Sequence, residues 1–304
     1  MKIAIIGGSG FLGCHLRSEL GKRNCQVRLI TSRKELNPEG IEEVVPVTFS
    51  SASEIADALF GCDSIVYLSG INHEKSPGDF VKIHVEYLRM VMNAAKASSI
   101  NNIIYTSFLR ARSHQTSKYL QSKWDGEELL RSSSMHYTIL RPGICFGPGD
   151  QMTTSIARGL KMTPFLGFFA SVGLREPTMR PVHAQDVALI MAEALLAGGM
   201  ERKTYNVSGP EELTLSEAVR RVARVIGKRA LIANVPVPLM FAGAWAMEHV
   251  MKNSLVTVSQ IRMLADGLSD CPPMSPDTQL LPERLKPKTY FTEQQIQVTL
   301  KQIR

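Results

Sequence analysis

The chain has 304 residues, of which 44% are hydrophobic and 21% charged, with 5 cysteines and a formal charge of +7. A sizeable core can be buried at that length without disulfides or metal, so a disordered chain, a collagen-like repeat and a disulfide-stapled secreted scaffold are excluded. Cys14, Cys25, Cys62, Cys145 and Cys271 are odd in number and form no CxxC pair, the pattern of reduced thiols, and Met1-Lys2 runs straight into an apolar strand-like run with no room for a leader, so a cytoplasmic protein is expected.

Strands are predicted at 2–6, 26–31, 43–48, 64–69, 102–107 and 136–141, with helices at 11–23, 52–60, 79–97 and 119–131 between them. Alternation of apolar strands with helices reads as α/β: a doubly wound parallel sheet with helices on both faces. Right-handed crossovers then gather the loops after the strands at one edge, where ligands bind.

The first strand runs into Gly7-Gly8-Ser9-Gly10-Phe11-Leu12-Gly13, which opens the first helix. Gly7 allows the tight turn, Gly10 lets backbone approach a pyrophosphate and Gly13 permits close packing, while the helix N-terminus offers free N–H groups to the anion. Gly7, Ser9, Gly10, Phe11, Leu12 and Gly13 are therefore candidate cofactor-binding residues in a Rossmann-type domain. The second strand ends Thr31-Ser32-Arg33-Lys34 with no acid before Glu35. An acid there would bind a ribose 2′-hydroxyl and basic residues a 2′-phosphate, so Ser32, Arg33 and Lys34 point to NADP(H), with NAD(H) as the alternative.

Tyr119 and Lys123 lie four apart on the predicted helix 119–131 and so share a face, where the ammonium can lower the phenol's pKa. Tyr119 is thereby a candidate general acid or base, and Ser107, at the end of the fifth strand, falls on the ligand edge of the sheet. The seven histidines form no H-E-x-x-H or paired ligand spacing, so no metal site is expected, and no G-x-S-x-G elbow marks a hydrolase.

After Pro148 the alternation loosens into loop-like sequence rich in Phe, Met and Gly, including Phe165, Leu166, Phe168 and Phe169. A helix at 184–197 and a strand at 204–207 return to the sheet, and Thr214 with Glu217 forms a capping box for a helix over 214–227. The expected organisation is a dinucleotide-binding domain at 1–148, joined in its sheet by 180–210, with a smaller C-terminal α/β lid from 149–179 and 211–304. The basic excess lies in this second half, notably at Arg220, Arg221, Arg224, Lys228 and Arg229, with no aromatics interleaved. It reads as a solvated helix face, and no nucleic-acid partner is expected. Residues 230–247 carry no charge, but Pro236 and Pro238 leave a helix of about 238–251, shorter than the ~20 residues that cross a bilayer. It is read as a buried or partner-facing helix, with peripheral attachment at the cytoplasmic membrane face as the alternative.

Taken together, the order of motifs resembles the short-chain dehydrogenase/reductase superfamily in its extended or atypical form. Within it the chain is similar to bacterial relatives of the complex I accessory subunit family, often labelled NAD-dependent epimerase/dehydratase. The residues carrying the likeness are Gly7, Gly10 and Gly13; Asp63 to Gly70; Tyr105-Thr106-Ser107; Tyr119 to Lys123 with Glu127; Leu140 to Asp150; Arg180 to His183 with Asp186; and Tyr205 to Pro210. The resemblance implies that Tyr119 exchanges a proton with a substrate oxygen, Lys123 holds the nicotinamide ribose and tunes Tyr119, and Ser107 hydrogen-bonds the reacting carbonyl or alcohol. It places Pro142 and Gly143 beside the nicotinamide and Ser69 and Gly70 beside the cofactor. Two positions depart from the pattern: His84 stands where such proteins commonly carry an Asn, and Thr48-Phe49 where an acid often lies near adenine.

Two functions follow. One is an NADP(H)-dependent oxidoreductase or epimerase/dehydratase acting on a small molecule. The other is a structural subunit or redox sensor that binds the dinucleotide without turnover, as the complex I relatives imply, and meets a partner through 238–251. Retention of Ser107, Tyr119 and Lys123 favours the enzyme.

Overall fold

A strand covered by helices on both faces must be apolar on both, and Ile3, Ala4, Ile5 and Ile6 are all fully buried. The computed structural model describes residues 1–32, 43–162, 167–172, 176, 178–250 and 278–301. Its elements to Pro142 are β1 (Lys2–Ile6), α1 (Phe11–Lys22), β2 (Gln26–Thr31), β3 (Glu43–Pro46), α2 (Ala52–Leu59), β4 (Ser64–Tyr67), α3 (Asp79–Val81), α4 (Tyr87–Ala97), β5 (Asn102–Thr106), α5 (Lys118–Arg131) and β6 (His136–Pro142). Then follow β7 (Cys145–Phe146), α6 (Gln151–Met162), β8 (Gly167–Val172), β9 (Thr178–Met179), β10 (Val182–His183), α7 (Ala184–Leu196) and β11 (Lys203–Val207). The rest is β12 (Leu213–Thr214), α8 (Leu215–Val225), β13 (Ala230–Val235), α9 (Val237–Val250), β14 (Thr278–Gln279) and α10 (Glu293–Lys301).

Eight strands form one sheet in the order β14-β11-β6-β5-β4-β1-β2-β3, with β1 pairing in parallel with both β2 and β4. The chain therefore reverses its winding between β1 and β4, the switch point at which such sheets bind ligands. The fold is the expected doubly wound, Rossmann-type α/β sheet. Its described residues fall into two units. The first takes in Met1–Pro142, Ala184–Asn206 and the described part of Pro273–Leu285; the second comprises the described parts of Gly143–His183, Val207–Pro272 and Lys286–Arg304.

Two local readings need correction. The helix expected over 79–97 is interrupted by a π turn at Lys82–Glu86, which separates α3 from α4. Residues 151–162, read as loop-like, form α6, because Thr153, Ile156, Ala157 and Leu160 recur on one buried face and Asp150 caps the start. The Asp150 carboxylate accepts from Gly147 N at 2.9 Å and Thr153 N at 2.6 Å. The second unit also contains a strand pair absent from the sequence reading, β8 with β13 in parallel register from Gly167↔Ala230 to Val172↔Val235. Its core gathers Phe146, Ile156, Leu160, Val219, Val222, Phe291 and Ile296. Of the apolar residues expected in the lid, Phe165 and Leu166 lie outside the described residues, while Phe169 packs against this core. The helix at 238–251 is α9, with Leu239 and Trp245 exposed and Met251 outside the described residues. No described helix is long and apolar enough to cross a membrane.

Candidate active site

The glycine loop is built by close approach. Gly7 has φ +81°, and a Cβ there would lie 2.6 Å from the Ser69 nitrogen, so the loop after β1 meets the loop after β4 at the switch point. A Cβ on Gly13 would overlap the Gly8 backbone, which makes Gly13 the residue that lets α1 fold back on its own entry turn. Gly10 is the N-cap of α1, with no side-chain cap and no acid in the first turn. The positive end of the helix dipole is thus left to an anion from outside. Ser9, Phe11 and Leu12 are half-buried around it, and Phe11 meets His15 edge-on at 5.2 Å. Ser32, one residue past β2, is exposed, while Arg33 and Lys34 lie outside the described residues.

Ser107 and Lys123 converge where β5 ends. The capped start of α5, with Ser117 Oγ accepting from Leu120 N, aims Lys123 into the sheet, where its Nζ donates to the Thr106 carbonyl at 3.1 Å. Lys123 also sits 5.5 Å over the Tyr105 ring. Its ammonium, with three donors, has one hydrogen-bond acceptor among the described residues. Burial pushes its pKa down to about 8, countered in part by Glu127. Ser107, one residue beyond Thr106, is buried, and its Oγ has no hydrogen-bond partner among the described residues. Such a group calls for a partner beyond those residues. Tyr119 is half-buried within an aromatic cluster, edge-on to Phe80, His84 and Phe108 at 5.6, 5.7 and 5.5 Å. Its contact with Phe108 places it beside the residue that follows Ser107.

Around this centre the sheet edge is closed by backbone. Gly70 follows β4, and a Cβ there would come within 3.2 Å of Lys123 Nζ, so the glycine leaves the ammonium room. Pro142 ends β6, and its carbonyl accepts from Leu109 N at 2.9 Å, fixing the turn that carries Ser107. Gly143 opens the second unit and donates to the Val207 carbonyl at 3.0 Å. The residues present fit a dinucleotide: an uncapped helix N-terminus for phosphates, and a buried lysine and serine with unused hydrogen-bonding capacity at the reacting end.

Other supports were not singled out in the sequence. The Tyr105 hydroxyl is buried against Gly126 of α5, three residues after Lys123, where any side chain would clash. Glu127, quoted only as part of the motif, is fully buried and bidentate to Arg141 at 2.9 and 2.6 Å, with Arg131 adding a third contact at 2.6 Å. That cluster locks α5 to β6, and Arg141 reaches on to Thr278 of β14. A mid-helix glycine and a charge on a helix are the only traces these roles leave in one sequence.

In the second unit, Arg220, Arg224 and Arg229, on and just after α8, are exposed. Arg221 is bidentate to Glu211, the exposed Arg224 pairs with Glu293 and Lys228 donates to the Leu160 carbonyl. Among the described residues, no group of three His, Cys, Asp or Glu side chains could hold a metal ion.

Comparisons with known proteins bear on the fold and the family. A family model described as NAD(P)H-binding matches residues 7–197. The chain is 25% identical over 240 residues to the mitochondrial NADH-ubiquinone oxidoreductase 40 kDa subunit of Neurospora crassa, covering 76% of this chain and 62% of that protein. It thus spans less than two thirds of that relative's length. To the ceramide reductase of Caulobacter vibrioides it is 25% identical over 249 residues, covering 80% of this chain and 76% of that one. A solved structure of the NADPH-dependent quinone oxidoreductase QOR2 of Escherichia coli, complexed with NADPH, shares the fold. Its TM-score is 0.72 and its identity 21%, with 96% of this chain and 98% of that chain covered.

Proposed function

Because the chain belongs to the NAD(P)H-binding family, within the superfamily of NAD-dependent epimerases, dehydratases and short-chain reductases, we propose that it is an NADP(H)-dependent oxidoreductase or epimerase/dehydratase acting on a carbonyl or alcohol of a small molecule. The observation that carries the reading is the buried Ser107 hydroxyl with no partner of its own, one residue from the carbonyl that holds Lys123. Ser107 hydrogen-bonds the reacting oxygen and Tyr119 exchanges the proton with it. Lys123 holds the ribose and, while charged, favours the phenolate form of Tyr119. Gly7, Ser9, Gly10, Phe11, Leu12 and Gly13 hold the pyrophosphate, Ser69 and Gly70 line its path, and Pro142 and Gly143 flank the ring. Arg33 and Lys34, with Ser32, select the 2′-phosphate. The bound nicotinamide supplies or accepts the hydride. The similarity to a reductase over 80% of the chain supports this reading.

The test is NADPH oxidation against a panel of carbonyl compounds and nucleotide sugars. Tyr119→Phe is expected to lower turnover by about 10²-fold or more while NADPH binding is kept. Equal background in parent and variant, with binding intact in both, would overturn the enzyme reading. It would favour the second one, a dinucleotide-binding subunit without turnover, which draws on the similarity to a subunit of NADH-ubiquinone oxidoreductase. In that case α9, with Leu239 and Trp245 exposed, is the face offered to a protein or to the cytoplasmic membrane surface. For the cofactor, fluorescence titration of Arg33→Ala is expected to narrow the NADPH/NADH preference, and an unchanged preference contradicts the role given to Arg33.

A further inference from the structure

His84 is fully buried in the π turn between α3 and α4, and both of its ring nitrogens are committed. Nε2 accepts from the Ile71 amide at 3.1 Å, and an amide N–H can only donate. Nδ1 lies 2.8 Å from Ser122 Oγ, whose own proton goes to the Tyr119 carbonyl at 2.8 Å. The hydroxyl therefore receives from Nδ1–H, and backbone at both ends fixes every proton in the chain Ile71 N–H, His84, Ser122, Tyr119 C=O.

We infer that His84 is a positioning residue, a neutral strut that ties the loop after β4 to the first turns of α5 and takes no part in proton transfer. A proton passed on from Nδ1 would have to be replaced at Nε2, whose one hydrogen-bond donor among the described residues is an amide that does not release its proton. The ionisable groups facing the ring are Tyr119 and Lys123 of α5, and Tyr67 of β4 donates to the carbonyl of the preceding residue, Ile83. Burial, aided by the Lys123 charge, pushes the His84 pKa down to about 2. A Cβ on Gly70 would be 3.2 Å from Lys123 Nζ and 3.4 Å from His84 Nε2, so this loop passes close to both the ammonium and the imidazole, and the Ile71 amide is its hydrogen bond to the ring. This inference rests on the dinucleotide reading above, because that loop and helix are the ones given to the cofactor.

The experiment has two arms on the full chain, neither needing turnover. In the first, 15N-imidazole NMR of the parent, with His84 assigned against His84→Gln, should show an Nδ1–H tautomer that stays neutral from about pH 5 to 9. An Nε2–H tautomer, or a ring that titrates near 6.5, overturns the proposal. In the second, fluorescence titration with NADPH should show His84→Ala and Ser122→Ala each binding about tenfold more weakly. The double variant should be no weaker than the worse single one, since both break the same chain. Parent-like affinity in the single variants, or additive losses, also overturns it. If the alanine variants do not fold, the tautomer of the parent decides. Loss of turnover in Tyr119→Phe, or its absence in the parent, leaves both arms readable.

Discussion

Lys123 holds its charge against burial, and that tension has a sign. Its folded pKa is about 8, against the ordinary 10.5 that the unfolded chain retains. Below about pH 8 both states hold the proton and the full burial penalty, on the order of 3 kcal/mol, is present. Between the two values the unfolded state holds a proton that the folded state has released, so raising the pH relieves the penalty and stability increases. The urea midpoint of the parent, measured from pH 7 to 10.5, is therefore expected to rise relative to that of Lys123→Met. Parallel curves for the two proteins would show that Lys123 titrates normally. Ser107 is the uncharged counterpart: its hydroxyl gains nothing from the fold, which is what a group reserved for an outside partner looks like. These two residues and Tyr119 stand out in the sequence because the proposed chemistry needs their residue types at an edge that strand–helix alternation locates. His84 shows in the sequence only as a departure, since the partners of its ring nitrogens, Ile71 and Ser122, are ones that no spacing rule brings to it.

Helix α5 carries Tyr119 and Lys123, and its packing reverses an ordinary propensity rule. Replacing a mid-helix glycine by alanine normally favours the helix by up to about 1 kcal/mol. At Gly159 of α6 a Cβ meets nothing, and Gly159→Ala is expected to raise stability by about 0.5–1 kcal/mol. At Gly126 a Cβ would lie 2.5 Å from the Tyr105 hydroxyl and 2.8 Å from the His84 carbonyl, so Gly126→Ala is expected to lose about 1–3 kcal/mol. Thermal melts of the pair check the contrast, and a stabilising Gly126→Ala would mean that α5 sits farther from β5 than described. The same difference explains what could be read from the chain. Strands β1, β2, β4 and β5 show as apolar runs because both faces are covered. The face of α6 contains a buried Thr153 and its cap Asp150 closes a Gly-Pro-Gly turn, so the segment read as loop. The π turn at Lys82–Glu86 leaves no periodic mark at all, because one added residue per turn is invisible against ordinary helical spacing.

At the scale of the molecule, the last described residues serve both units, although they lie beyond the matched family region, which ends at residue 197. Thr278 and Gln279 form β14, the edge of the eight-stranded sheet beside β11, where Thr278 Oγ1 receives a hydrogen bond from Arg141. Fifteen residues after the start of that strand, α10 begins and places Ile296 in the core of the second unit, with Phe291 just before it packed edge-on against Phe146 at 4.9 Å. A chain ending at residue 277 thus strips an edge strand from one unit and a buried wedge from the other. It is expected to lose cooperative melting and to be degraded by protease at concentrations the full chain survives. Phe291→Ala separates the two effects: it empties a fully buried ring position in the second unit alone, at a cost of about 3–5 kcal/mol, and leaves every residue of β14 in place. Because the glycine loop, Ser107 and Lys123 all belong to the first unit, and of the residues given to the dinucleotide Gly143 alone belongs to the second, NADPH affinity in Phe291→Ala should stay near the parent value while the melting temperature falls. A parallel loss of NADPH binding at a temperature where the variant is still folded would mean that the second unit contributes more than Gly143 to holding the dinucleotide.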